Sequence, residues 1–169
     1  VMNRTLLIFL VLFYNLSYSS NIDTLNILSK SMNINIKNIV ISPNEKSYNQ
    51  KYPVIYLLHG YSGDYTDWSS KVKSLDRFCD SNNVIIVCPD GGYNSWYFDS
   101  PIDSSFKYET YIANELIMYV DSVYPTIQNS NSRAITGLSM GGHGSLYLAI
   151  KHPHVFGAVS YTHLRAHET

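Results

Sequence analysis

The sequence predicts an α/β fold, a mostly parallel sheet with helices on both faces, and three observations carry that expectation. Two runs, "YPVIYLLHG" (52–60) and "NNVIIVCPDGG" (82–92), are apolar on both faces, as strands covered from both sides must be. Between and after them lie stretches whose apolar residues recur every three or four positions, the spacing of an amphipathic helix. Strand and helix then alternate three times along the chain, the pattern of crossover-connected parallel strands, in which ligands collect at the carboxyl ends of the strands.

Each element follows in order. The start, "VMNRTLLIFLVLFYNLSYSS", has Arg4 before an apolar run from Leu6 to Tyr14 and small residues at Ser17 and Ser19, the layout of a secretory signal peptide cleaved after Ser19. Its apolar run is far short of the ~20 residues a membrane span needs, so a secreted or periplasmic product with no stable membrane association after cleavage is expected. "NILSKSMNINIKNIVISPNEK" alternates Ile34, Ile36 and then Val40, which predicts one or two antiparallel strands opening the sheet. The strand 52–60 follows and ends at Gly60.

"DYTDWSSKVKSLDRFCDS" (64–81) places Trp68, Val72, Leu75 and Phe78 at spacings of four, three and three, a single crossover helix. The strand 82–92 closes on Pro89, Asp90 and two glycines. "YETYIANELIMYVDSVYPT" (108–126) aligns Tyr111, Ile112, Leu116, Tyr119, Val120 and Val123 on one stripe before Pro125, a second helix. "RAITGL" (133–138) is the next strand, "GGHGSLYLAIKHP" a helix ended by Pro153, and "VFGAV" a last parallel strand at an unprotected edge.

Composition narrows the function classes. With 12 basic and 13 acidic residues the chain carries a formal charge of −1, which gives no reason to expect nucleic acid or an anionic membrane as partner. Cys79 and Cys88 could pair in an exported protein, but Cys88 sits inside an apolar run and reads more simply as a buried small hydrophobe. No spacing of Cys, His, Asp or Glu resembles a metal site, and no cofactor is called for.

The chemistry concentrates in "ITGLSMGGHGSL" (135–146). Gly137-Leu138-Ser139-Met140-Gly141 falls between a strand and a helix, where a sharp turn tolerates almost no flanking side chain and lifts a serine hydroxyl above the sheet. That arrangement makes Ser139 the candidate nucleophile, with Gly137 and Gly141 as the elbow glycines. The backbone N–H groups of Met140, at the helix start, and Tyr61, following Gly60, are the candidate oxyanion donors. His59 precedes the nucleophile, whereas this architecture orders serine, acid, histidine, so a loop-shaping role suits it better than that of base.

At these residues the chain resembles a family. "YPVIYLLHGYSGDYTDW", "PDGGYNSWYFDSP", "YETYIANELIMYVDSVYP" and "AITGLSMGGHGSLYLAIKHPHVFGAV" are similar to successive blocks of the putative esterase family, which includes S-formylglutathione hydrolases, antigen 85 mycolyltransferases, and feruloyl and acetyl xylan esterases. The resemblance runs from about Leu25 to Val159. It implies an α/β-hydrolase fold and serine esterase or acyltransferase chemistry, with Ser139 as nucleophile and Met140 and Tyr61 at the oxyanion. The substrate stays open.

The partners of Ser139 are harder to find. After Met140 there is no aspartate, and the only carboxylate is Glu168. His143 lies on the elbow helix's first turn, while His152 and His154 flank Pro153 at its far end, ~20 Å away at 1.5 Å per residue. His163, His167 and Glu168 lie in "VSYTHLRAHET" (159–169), which resembles the translation of a transposase adapter used in preparing DNA sequencing libraries. The expected organisation is therefore a signal peptide over 1–19, the N-terminal part of an esterase domain lacking its C-terminal strands over 20–158, and a non-native tail over 159–169. Acid and base would be missing and the chain as written inactive.

The expected activity of the parent is hydrolysis of a small-molecule or polysaccharide-linked carboxylic ester through an acyl-enzyme, with a carbohydrate-linked or a short-chain acyl ester as the expected substrate. An acyltransferase of the same fold and a non-catalytic carbohydrate-binding member are the alternatives. The aromatic loop "GGYNSWYFDSP" suits a sugar-linked or aromatic acyl ester, or else serves only to pack Trp96, Tyr97 and Phe98.

Overall fold

A computed structural model of the chain describes residues 20–44 and 49–162. The leader expected over 1–19 and the late residues His163, His167 and Glu168 lie outside the described residues. Among the described residues no helix is long and apolar enough to cross a membrane.

β1 (Asn21–Ser29) and β2 (Ile34–Ser42) form an antiparallel hairpin, in register from Asn21↔Ser42 to Ser29↔Ile34. Asn33 takes the left-handed conformation in its turn, at φ 54°, as asparagine tolerates. β2 pairs antiparallel with β4 (Ile85–Pro89). β3 (Val54–Leu58) lies between β4 and β5 (Arg133–Leu138), parallel to both, and β6 (Ala158–Thr162) runs parallel beside β5. The described residues thus form a six-stranded sheet in the order β1-β2-β4-β3-β5-β6. The chain winds from β3 to β4, crosses back over β3 to β5 and continues outward, so its direction reverses between β3 and β5. Their carboxyl ends adjoin at that reversal, where open α/β sheets bind ligands.

Alternate residues of the strands feed two cores, which is why their sequences are apolar throughout. On one face Tyr56, Leu58, Val87 and Ile135 pack with Tyr111, Ile112, Leu116, Val120 and Leu148. On the other, Ile39, Ile41, Leu57, Ile86 and Cys88 pack with Cys79 and the half-buried Trp68 and Leu75. Both cysteines are free and buried.

Three expectations need correction. The crossover helix is two helices, α1 (Asp67–Lys71) and α2 (Leu75–Asn82), because Val72 leaves the helical region at φ −110°, ψ 88°. The break turns Phe78 outward, 47% exposed, and Cys79 inward. The second helix runs from α3 (Tyr108–Thr110) through a π turn (Tyr111–Leu116) into α4 (Ile117–Val123). Tyr111, Ile112, Leu116 and Val120 of the expected stripe are buried, but beyond the wider turn Tyr119 and Val123 are exposed. The turn also presents Glu115 to the hairpin turn, where its carboxylate accepts from the Ser29 hydroxyl at 2.6 Å and the Ser31 N–H at 2.8 Å.

The last strand begins at Ala158 rather than Val155. Val155 and Phe156 instead plug the core beneath a turn whose Gly157 N–H donates to the carbonyls of Ser130 (2.9 Å) and Arg133 (3.1 Å). β6 is one edge of the sheet among the described residues, with Val159 and Tyr161 exposed.

Candidate active site

β5 ends at Leu138 and α5 (Met140–Lys151) begins at Met140, which leaves Ser139 alone in the corner between them. Its backbone sits at φ 55°, ψ −115°, a conformation that costs a non-glycine residue of order 1–3 kcal/mol. The side chain is exposed, and among the described residues its hydroxyl has no hydrogen-bond partner. The corner is as tight as its two glycines suggest. A Cβ on Gly137 would lie 2.5 Å from the Gly141 carbonyl group and 2.7 Å from Leu58 O, and one on Gly141 would run into Leu58 O.

The loop after β3 lies against this corner. A Cβ on Gly60 would sit 3.7 Å from the Ser139 Cβ, which brings Tyr61, the next residue, beside the nucleophile candidate. Among the described residues no hydrogen bond occupies the N–H of either Tyr61 or Met140. The Met140 amide also stands at the positive end of α5. Ser139, Met140, Gly137, Gly141 and Tyr61 are therefore neighbours in space.

A second loop, after β4, braces the first. The Gly91 N–H donates to His59 Nε2 at 2.8 Å, the Ser62 N–H donates to the Tyr93 carbonyl at 2.8 Å, and the Tyr97 hydroxyl donates to the His59 carbonyl at 3.0 Å. Burial, with Asp90 next in importance, pushes the Tyr97 hydroxyl well above the ordinary phenol range, so it stays a donor. Trp96 and Tyr97 both adopt positive φ, 54° and 61°. Tyr97 is fully buried while Trp96 stays 41% exposed at the rim. The aromatic loop thus packs through Tyr97 and presents Trp96. No sequence pattern announced this brace, because most of its bonds run through main-chain atoms that every residue carries.

The histidines are accounted for one by one. Both ring nitrogens of buried His59 are taken, Nδ1 by the Gly60 carbonyl at 2.8 Å and Nε2 by Gly91. His143 turns its Nδ1 to the Trp96 carbonyl, 3.2 Å away, and stacks on Tyr147. At the far end of α5, His152 donates to Glu109 Oε1 at 3.0 Å and packs against His154. Among the described residues no histidine hydrogen-bonds Ser139. Glu109 also accepts from Tyr147 (2.6 Å) and Lys151 (3.0 Å). Burial alone would raise its pKa, but the bonds from Tyr147, Lys151 and His152 outweigh it and hold the carboxyl below its ordinary range.

Two recesses flank the loop after β3. One of about 190 Å³ is walled by Trp68, Val72, Leu138 and Gly60, with the Asp67–Lys71 ion pair (2.9 Å) at its edge. The other, about 430 Å³, lies between Lys37 of β2 and Asp90, Tyr93 and Tyr108.

The profile of the family described as Putative esterase matches residues 29–163. An acetyl esterase of Caldicellulosiruptor saccharolyticus is 32% identical over 136 residues, covering 76% of this chain and 50% of that protein. A diacylglycerol acyltransferase/mycolyltransferase of Mycobacterium intracellulare is 31% identical over 113 residues, 62% of this chain and 33% of that protein. Among solved structures, a ferulic acid esterase superposes with a TM-score of 0.73 at 34% identity, covering 84% of this chain and 58% of that one. The chain spans half or less of the length of these curated relatives.

Proposed function

This chain belongs to the Putative esterase family and has an α/β-hydrolase fold; from that premise we propose that it is the nucleophile-bearing part of an exported serine carboxylic-ester hydrolase. Ser139 attacks the ester carbonyl, the developing oxyanion takes hydrogen bonds from the N–H groups of Met140 and Tyr61, and water resolves the acyl-enzyme. The observation that carries this reading is the corner itself. An exposed serine at φ 55° with two unengaged amides beside it stores strain that packing does not need. Gly137 and Gly141 are the residues that let the corner close.

No described histidine reaches Ser139, so in this reading acid and base come from outside the described residues, and the 169-residue chain turns over esters poorly by itself. Residues 159–169 are proposed to be non-native. The pairing of 158–162 with β5 uses main-chain bonds that any sequence supplies. The exposed Trp96 beside α5 favours an aromatic or sugar-linked ester over the bare acetyl group.

The test supplies the missing base. The chain is incubated with p-nitrophenyl acetate with and without imidazole, and Ser139→Ala is run in parallel. Acetylation located on Ser139 by peptide mass spectrometry, accelerated by imidazole, is expected. Equal labelling of Ser139→Ala, or full turnover without imidazole, overturns the nucleophile and the missing base respectively.

A further inference from the structure

The histidine at the end of β3 does more than fill space. His59 is 1% exposed, and its two ring nitrogens face backbone groups of opposite kind. Gly91 presents an N–H to Nε2, which can only accept, and Gly60 presents a carbonyl to Nδ1, which can only donate. One state satisfies both, the neutral ring with its proton on Nδ1. That ring is clamped to the carbonyl side of the residue preceding Tyr61, while its other end is tied to the loop after β4.

Three bonds therefore cross between the two loops: Gly91 to the His59 ring, Ser62 to the Tyr93 carbonyl, and the Tyr97 hydroxyl to the His59 carbonyl. Ser62, which makes one of them, is held at φ 60°. Together they fix the direction of the Tyr61 N–H between its flanking residues. We propose that His59, as its neutral Nδ1–H tautomer, is the positioning residue of the oxyanion hole, aiming the Tyr61 amide at the reacting carbonyl through the Gly91–His59–Gly60 bridge. This rests on Ser139 being the nucleophile, but the tautomer does not.

The tautomer also makes the bridge sensitive to protonation. A proton on Nε2 would set two donors against each other at the Gly91 contact. Charged groups also lie near the ring. Asp90 Oδ1 lies 3.7 Å from Nε2. A Cβ on Gly63 would meet both the Asp67 carboxylate and His59 Nδ1, Asp67 is itself paired with Lys71, and Tyr97 packs edge-on to the ring at 5.9 Å.

Two measurements on this chain test the proposal. Nitrogen-15 NMR of the His59 ring is expected to show a protonated Nδ1 and a bare Nε2 at neutral pH. An Nε2–H tautomer overturns the bridge. The second measurement is the imidazole-assisted acetylation of Ser139. His59→Gln, whose amide oxygen can still accept from Gly91, should keep the rate within a few-fold, while His59→Phe should lose roughly 10- to 100-fold, approaching the loss of one oxyanion donor. Equal rates in folded His59→Phe and the parent sink the positioning role. Absence of acetylation in every protein, with the tautomer as expected, would instead count against Ser139.

Discussion

Gly141→Ala sets two well-known effects against each other at one position. Gly141 is the second residue of α5, and inside a helix alanine is favoured over glycine by about 1 kcal/mol, less in a first turn. If propensity decided, the substitution would stabilise. The added Cβ, however, would run into Leu58 O and lie 2.6 Å from both His59 O and Leu58 C, all main-chain atoms of β3 and its exit. Leu58 is the last residue of the central strand and pairs with β5, and the His59 carbonyl is held by the Tyr97 hydroxyl at 3.0 Å, so these main-chain atoms cannot yield as a side-chain tip can. Overpacking of this kind costs roughly 1–3 kcal/mol where neighbours can relax, and the fixed backbone puts this site at the upper end. A net loss of about 2 kcal/mol follows. For a domain of this size that lowers Tm by about 4–8 °C. Thermal and urea unfolding followed by circular dichroism read it directly, with Gly60→Ala as control, because its Cβ would meet nothing nearer than 3.4 Å. Gly141→Ala as stable as the parent, or more so, would refute the argument that contact with β3 shapes the elbow.

Glu109→Gln should destabilise by about 1–2 kcal/mol near neutral pH, because it weakens charge-assisted bonds to Tyr147, Lys151 and His152. Since the folded carboxyl is held below its ordinary pKa, that stabilisation is complete above ~4.3 and fades as pH falls through the folded value. Urea midpoints of parent and variant should therefore converge in acid, and a constant gap contradicts the assignment. Burial raises the Cys88 thiol to about 12, and burial followed by Asp80 and Asp76 raises Cys79 to about 12. Iodoacetamide at pH 8 should spare both cysteines in the folded chain and modify both in urea. Asp121→Ala leaves the buried Arg133 guanidinium without the carboxylate 2.8 Å away and should cost about 3–5 kcal/mol in urea unfolding, whereas a loss below 1 kcal/mol would mean solvent reaches the pair.

Much of this fold was legible because its strands are buried on both faces. Val54–Leu58, Ile85–Pro89 and Arg133–Leu138 fall inside the runs that composition marks, and Pro153 marks the end of α5. The elbow was legible for a different reason, since glycine on both sides of a serine at a strand's end leaves few other structures. Periodicity failed where the backbone leaves its ideal repeat. Nothing in "SSKVKS" announces that Val72 will become extended, so Phe78 was assigned to the core that Cys79 occupies. The π turn at Tyr111–Leu116 likewise displaced Tyr119 and Val123, because a 3.6-residue template carries no allowance for a wider turn. The bridge through His59 depends on the Gly60 carbonyl and the Gly91 amide, groups invisible to any residue pattern.

The place of β3 in the sheet has a kinetic consequence. Val54 meets Ile85 across a loop of roughly 30 residues but Arg133 across roughly 80, and closing the longer loop costs about 0.9 kcal/mol more in chain entropy. The β3–β4 pairing can thus form early, while the corner holding Ser139 waits for the more distant strand to arrive. During refolding, secondary structure should recover ahead of any property of the serine. Nascent chains would carry a finished oxyanion loop with nothing yet to act on, and the reactive hydroxyl would come into being only as the sheet closes around it.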